Sequence, residues 1–199
     1  MKLAPNCYDC LRGLICQAVN LATDDTLLKQ RAIEEAMKIL DNEFSYNQIS
    51  IVIATKIHKV IKEITHNLDP YQVMKAREME IAKELYPEIR LQYKDNFRDY
   101  LKLAAAANAI DFFREPSTIR EDIRKPVSFA VDDSERFEAK LRAASKVLYL
   151  ADNAGEIYFD LPVVKWMKQF TEVTYVIKPL PVQDDATLED IRKAGLESE

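Results

Sequence analysis

The sequence predicts a mixed α/β protein, with an all-helical domain over residues 1–130 and an α/β domain over residues 131–199. Three observations carry this reading. Apolar residues recur at three- and four-residue spacing through the first two-thirds of the chain, the period of helices with one buried face. Two short β-type runs, Lys146-Val147-Leu148-Tyr149-Leu150-Ala151 and Val173-Thr174-Tyr175-Val176-Ile177, follow near the end. A helical run separates them, as in a strand–helix–strand unit with parallel strands.

Leu11, Leu14, Ile15, Val19 and Leu21 set the first helical face. Thr23-Asp24-Asp25 supplies N-cap candidates for a helix over 27–40. Residues 47–64, rich in Ile and Val, form a third helix by their period. Asp69-Pro70-Tyr71 opens a fourth, with Asp69 as cap and Pro70 at the first helical position. It is expected to stop near Tyr86-Pro87, with a restart over 88–93. Residues 99–113, centred on a run of four alanines, predict a central helix, because small side chains permit close packing. Residues 114–118 read as a break and 119–123 as a short helical turn. Asp132-Asp133-Ser134 caps a helix over 135–144. The helix joining the strands is expected over 161–170, with Pro162 near its start, where the missing N–H is harmless. A last helix begins near Thr187. Two parallel strands alone rarely make a stable sheet, so the α/β part is expected to be a truncated form of a longer domain.

With 199 residues and 48% apolar content the chain can bury a sizeable core, as a globular protein does. A formal charge of −5 argues against a nucleic-acid partner, which requires clustered Lys and Arg. No segment approaches the ~20 continuous apolar residues of a membrane span, and the N-terminus lacks the apolar stretch of a secretory signal. The expected location is cytoplasmic. The three cysteines all lie near the N-terminus and do not form a secreted disulfide framework.

The segment richest in chemistry is Asp152-Asn153-Ala154-Gly155-Glu156. It follows the first strand, at the carboxyl end where open α/β sheets place ligands. Asp185 follows the second strand at a distance that suits one strand–helix–strand unit, typically ~30 or more residues. Asp152, Asn153 and Asp185 are thus three oxygen donors for one sheet edge, a set suited to a hard divalent cation. Such a cation polarises a phosphoryl group and activates a water. The plainer alternative is that Asp152-Asn153 is a turn and cap. Asp184 competes with Asp185 for the ligand role, and either one could cap the last helix. Glu156 and Asp160, four apart, share a face if helical; they orient a water or substrate hydroxyl, or simply favour a helix N-terminus.

Cys7-Tyr8-Asp9-Cys10, with Cys16 after it, is a possible thiol site for a metal or a dithiol, or a set of small buried hydrophobes. Asn108-Ala109-Ile110-Asp111 closes the alanine-rich helix, where Asn108 and Asp111 either reach a ligand cleft or make helix-end hydrogen bonds. His58 and His66 read as surface residues. There is no G-x-S-x-G elbow, P-loop or G-x-G-x-x-G.

Taken in order, Cys7-Tyr8-Asp9-Cys10-Leu11, Asp69-Pro70-Tyr71, the 105–111 segment, Asp152 to Ile157 with Asp160, and Asp184-Asp185-Ala186-Thr187-Leu188-Glu189-Asp190 resemble the metal-dependent damage-control phosphatases. This is the ARMT1-like family, also called domain of unknown function 89, and the likeness is to its prokaryotic, cysteine-bearing branch. The resemblance implies a helical domain packed on a Rossmann-like α/β domain, with the site in the cleft between them. It implies Mn²⁺, Co²⁺, Ni²⁺ or Mg²⁺ held by Asp152, Asn153 and Asp185, with Glu156, Asn108 and Asp111 toward substrate; on this reading Asp152 or Glu156 orients the nucleophile. The implied reaction is hydrolysis of small phosphate esters, sugar phosphates or damaged phosphometabolites. Family members continue past the position of Glu199 with further strands and a glycine-rich segment bearing a phosphate-facing lysine. Two competing readings are an S-adenosylmethionine-dependent protein carboxyl methyltransferase, which requires an adenosine pocket, and a non-catalytic metal- or dithiol-binding protein.

Overall fold

The computed structural model describes residues 2–110 and 116–198. It is mostly helical, with one two-stranded parallel sheet. The chain divides into two compact units, Met1–Gln72 and Val73–Glu199. The boundary expected near residue 130 falls inside the second unit.

The first unit is built on α1 (Cys7–Ala22), α2 (Thr26–Glu43) and α3 (Ser50–Thr65), each packed on the other two. Ile15, Ala18, Val19, Ala32, Ala36, Leu40, Ile53, Ile57 and Ile61 are sealed from solvent, one stripe per helix. Asp25 caps α2 by accepting from the N–H groups of Leu27 and Leu28 at 2.8 and 2.9 Å. His66 ends α3 in a left-handed conformation with φ 54° and is exposed. His58, expected at the surface, is buried. Its ring pairs with the Ala54 carbonyl at 2.9 Å and the Tyr71 hydroxyl at 3.1 Å, and burial lowers its pKa. A neutral imidazole with both nitrogens partnered belongs to the core.

The second unit begins at the foot of α4 (Gln72–Arg90). This helix runs straight through Pro87 instead of stopping at Tyr86 and restarting. Pro87 forfeits one intrahelical bond, but Leu85 and Ile89, four apart on one face, are both buried in the core and hold the last turn. Next come α5 (Phe97–Ala106), a 3-10 turn over Ala107–Ala109, and α6 (Pro116–Asp122). The helix expected over 99–113 therefore ends at Ala106, and Asp111 lies outside the described residues. Ile81, Leu85, Leu103, Ala106, Ile110, Ile119 and Phe159 share one core cluster. This is the physical reason that the middle helices group with the strands rather than with α1–α3.

After α7 (Ser134–Ala143), β1 (Lys146–Leu150) pairs in parallel with β2 (Glu172–Val176), Val147 opposite Val173 and Tyr149 opposite Tyr175. The crossover is α8 (Ile157–Met167), preceded by a 3-10 turn over Ala154–Glu156. It starts earlier than expected, leaving Pro162 in its second turn. Val147, Tyr149, Val173 and Tyr175 pack with Val163, Val164 and Met167, the period-2 face a half-buried strand presents. On the opposite face Leu148 and Leu150 are 67% and 73% exposed. The last helix is α9 (Leu188–Ala194). No helix among the described residues is long and apolar enough to cross a membrane.

Candidate active site

β1 ends at Leu150, and the chain then leaves the sheet under main-chain control. The Ala151 N–H donates to the Val176 carbonyl at 2.9 Å, the last rung between the strands. Beyond it, Ala186 N–H donates to the Asp152 carbonyl and Ala154 N–H to the Asp184 carbonyl, both at 2.8 Å. These two bonds flank Asn153 and Asp185, which form an isolated antiparallel bridge. Residues opposed in this way, between rungs, have the closer spacing, with Cα atoms about 4.5 Å apart and side chains on one face. On its other edge the Asp185 segment is stitched to the extension of β2, where Lys178 N–H donates to the Ala186 carbonyl at 3.0 Å.

The turn that delivers Asp184-Asp185 is tight. Asp185 N–H donates to the Val182 carbonyl at 3.0 Å, and Gln183 is left-handed at φ 45°. That conformation is uncommon outside glycine and marks a position fixed by its surroundings. Of the two acids, Asp184 turns into the interior and Asp185 stands opposite Asn153. Neither caps α9. Thr187 does that, in a capping box with Asp190. Nor does Asn153 act as a side-chain cap: it precedes the 3-10 turn but makes no cap hydrogen bond. Its carboxamide is not spent on the plainer role open to it.

The electrostatics are those of crowded acids. Glu156, at the end of the 3-10 turn, is 8% exposed. Burial, followed by the repulsion of Asp160, Asp152, Asp184 and Asp185, pushes its pKa up to about 8. Asp185 is also raised, first by burial; Lys178 pulls it down and the adjacent Asp152 carboxyl, within hydrogen-bonding reach, pushes it up. Asp160 on α8 is raised to about 6 by burial, against the lowering effect of two tyrosines. Tyr149 and Tyr175 donate to its two oxygens at 2.7 and 3.0 Å. Asp160 thus ties α8 to the sheet, with both oxygens engaged by the strands.

Two carboxylates forced together beside a carboxamide fit a divalent cation, whose charge relieves the repulsion and whose ligands of choice are oxygens. Among the described residues no three carboxylate, imidazole or thiolate groups come together at metal-binding spacing; the oxygen donor placed opposite Asp185 is the carboxamide of Asn153. Asp152 is exposed, Asn153 and Asp185 half-buried, an arrangement open to a small ligand.

Asn108 is exposed on the 3-10 turn after α5, and that turn packs against the one carrying Glu156. Gly155 is what allows this approach. A Cβ placed on it would meet Ile110 Cγ2 at 3.0 Å and Glu78 Cβ at 3.4 Å. Gly155, the one glycine between β1 and α8, is packed against Ile110 and Glu78 rather than open to a ligand. The cysteines stay on α1 as free thiols, Cys7 half-buried, Cys10 and Cys16 exposed. Cys7 Sγ accepts the Ala4 N–H at 3.2 Å. At about 100° per residue, Cys16 lies half a turn round the helix from Cys7 and shares no face with it.

Sequence reasoning missed two lysines. Lys178 Nζ lies 3.1 Å from Asp185 Oδ2, and Lys75 Nζ lies 3.1 Å from Asp190 Oδ2. Lys178 had a signal, its place just past the carboxyl end of β2. Lys75 had none, since a lysine in an amphipathic helix reads as a solvated one.

The fold and the acids gathered at the strand ends have counterparts among known proteins. The damage-control phosphatase ARMT1-like domain matches residues 3–198; the chain belongs to this family. It is 34% identical to a damage-control phosphatase of Archaeoglobus fulgidus, over 99% of this chain and 72% of that protein. It is 30% identical to damage-control phosphatase PH1575 of Pyrococcus horikoshii, over 99% of this chain and 71% of that protein. The crystal structure of the DUF89 family protein PH1575 superposes with a TM-score of 0.86, covering 99% of this chain and 71% of that one.

Proposed function

We propose that this chain is a metal-dependent phosphatase of small phosphorylated metabolites, acting at Asp152, Asn153, Glu156 and Asp185. The phosphatase role is supported by the family and by the relatives that carry that name. The metal dependence rests on one observation, the antiparallel bridge that opposes Asn153 to Asp185 beside Asp152. When bound by these three side chains, a Mn²⁺, Co²⁺, Ni²⁺ or Mg²⁺ ion supplies Lewis-acid polarisation of a phosphoryl oxygen and an activated water. Asp152, exposed to solvent, orients the attacking water by accepting its hydrogen bond. Glu156, buried at the end of the turn that follows Asn153, turns its carboxyl toward the substrate. Asn108, on the neighbouring turn, contributes a carboxamide to the substrate hydroxyls.

The test is hydrolysis of an aryl phosphate by metal-stripped protein, with each of the four ions restored singly and Asp152→Ala as control. Metal-dependent release of phosphate that disappears in the variant is the expected result. Release that is indifferent to metal, or unchanged in Asp152→Ala, would overturn the reading.

A further inference from the structure

Two lysines in this unit hold acids at the same distance, 3.1 Å, in opposite environments. The Lys75 side chain is 1% exposed and has nowhere to go. The Lys178 side chain is 42% exposed, and its partner Asp185 is 16% exposed. The Lys178 backbone is fixed by the bond from its N–H to the Ala186 carbonyl at 3.0 Å. Only the side chain is left to move, and solvent is open to receive it.

Asp185, whose Oδ2 Lys178 holds, is also the carboxylate that a cation between Asp152, Asn153 and Asp185 would use. Mg²⁺-sized ions sit at about 2.0–2.1 Å from their oxygens. An ammonium hydrogen-bonded to the same carboxylate would lie within a few ångströms of that dication, where like charges repel strongly. The ammonium is the weaker and more exposed partner, so it is the one that yields.

We propose that Lys178 is the resident counter-ion of the Asp152/Asp185 pair, competing with the divalent cation for Asp185 and swinging into solvent when the cation binds. This deepens the metal-site reading and rests on it. In the metal-free protein Lys178 offsets the repulsion between two adjacent carboxyls. In exchange it weakens the site for the ion, so that ion affinity is tuned by a residue that is not a ligand.

The experiment has two readouts on the full chain. Mn²⁺ is titrated by calorimetry into metal-stripped wild type, Lys178→Met and Lys178→Ala. Both variants are expected to bind Mn²⁺ about 2- to 5-fold tighter, the scale of a half-exposed ion pair removed from competition. In parallel, wild-type lysines are acetylated with and without Mn²⁺ and quantified by mass spectrometry. Lys178 should become more reactive with Mn²⁺ while Lys75 stays protected. Equal or weaker Mn²⁺ binding by both variants, or Lys178 reactivity unmoved by Mn²⁺, overturns the competition while leaving the metal site standing. No Mn²⁺ binding by wild type or either variant overturns the metal site itself, and the competition with it.

Discussion

Lys75 Nζ lies 3.1 Å from Asp190 Oδ2 with both side chains shut away from solvent, one on α4 and the other on α9. The same Asp190 oxygen accepts the Thr187 N–H at 2.9 Å and the Thr187 hydroxyl at 2.6 Å. Thr187 follows directly on the segment that carries Asp184 and Asp185. The pair therefore pins the start of α9, and with it the acid opposite Asn153, to α4. Lys75→Met leaves a buried carboxylate without its cation, and breaking a buried pair in this way costs roughly 3–5 kcal/mol. Urea unfolding should register that loss. Mn²⁺ affinity should fall in the same variant, the opposite sign to that expected for Lys178→Met.

The acids of the site give the metal-free protein a pH dependence with a definite sign. Glu156 has a folded pKa of about 8, raised above the ordinary glutamate value of ~4.3. Below that ordinary value both folded and unfolded chains hold the proton. As pH rises toward 8 the unfolded chain releases it and the folded chain keeps it, so stability falls, by at most about 1.4 kcal/mol per pH unit for one proton. Asp160, raised to about 6, adds to the fall at the lower end of the window. Glu156→Gln should flatten the decline between pH 6 and 8. A melting temperature for wild type that is level or rising across that window would contradict it.

Gly155→Ala tests the approach of the two 3-10 turns. The added methyl would stand 3.0 Å from Ile110 Cγ2 with Glu78 Cβ behind it. Overpacking of this kind costs typically ~1–3 kcal/mol, and thermal or urea unfolding reads it directly. Because the displaced wall carries the turn bearing Asn108, KM for an aryl phosphate should rise in the variant while Mn²⁺ affinity holds.

Tyr149 and Tyr175 stack with ring centroids 5.4 Å apart and both donate to Asp160. Tyr149→Phe keeps the ring and removes one donor from a buried carboxyl. The expected loss is about 1–3 kcal/mol, and the Asp160 pKa should move further up, since its hydrogen bonds to tyrosine are what hold it down. Carboxyl titration by NMR checks the second effect independently of the first.

Much of this was legible in the sequence because it rests on short-range rules. Asp25 capping α2, the period of α1 and α3, and the two β-type runs that became β1 and β2 all follow from residues within a few positions of each other. The ordered motifs likewise placed Asp152, Asn153 and Asp185 at strand ends and named the family to which the chain belongs. Other features had no local signal. Pro87 argued for a helix end, and only the burial of Leu85 and Ile89 in a core built from distant segments overrode it. His58 read as a surface residue until Tyr71 and Ala54 closed around it. The sequence by itself determined which residue types reach the site, since side-chain chemistry and periodicity are properties of the chain. Only the tertiary structure decided that Asp184 turns into the interior, that Thr187 caps α9, and that Lys75 is buried while Lys178 is half in water. Those outcomes depend on which backbones lie side by side and on where solvent is excluded, and neither is set until segments far apart in sequence have met.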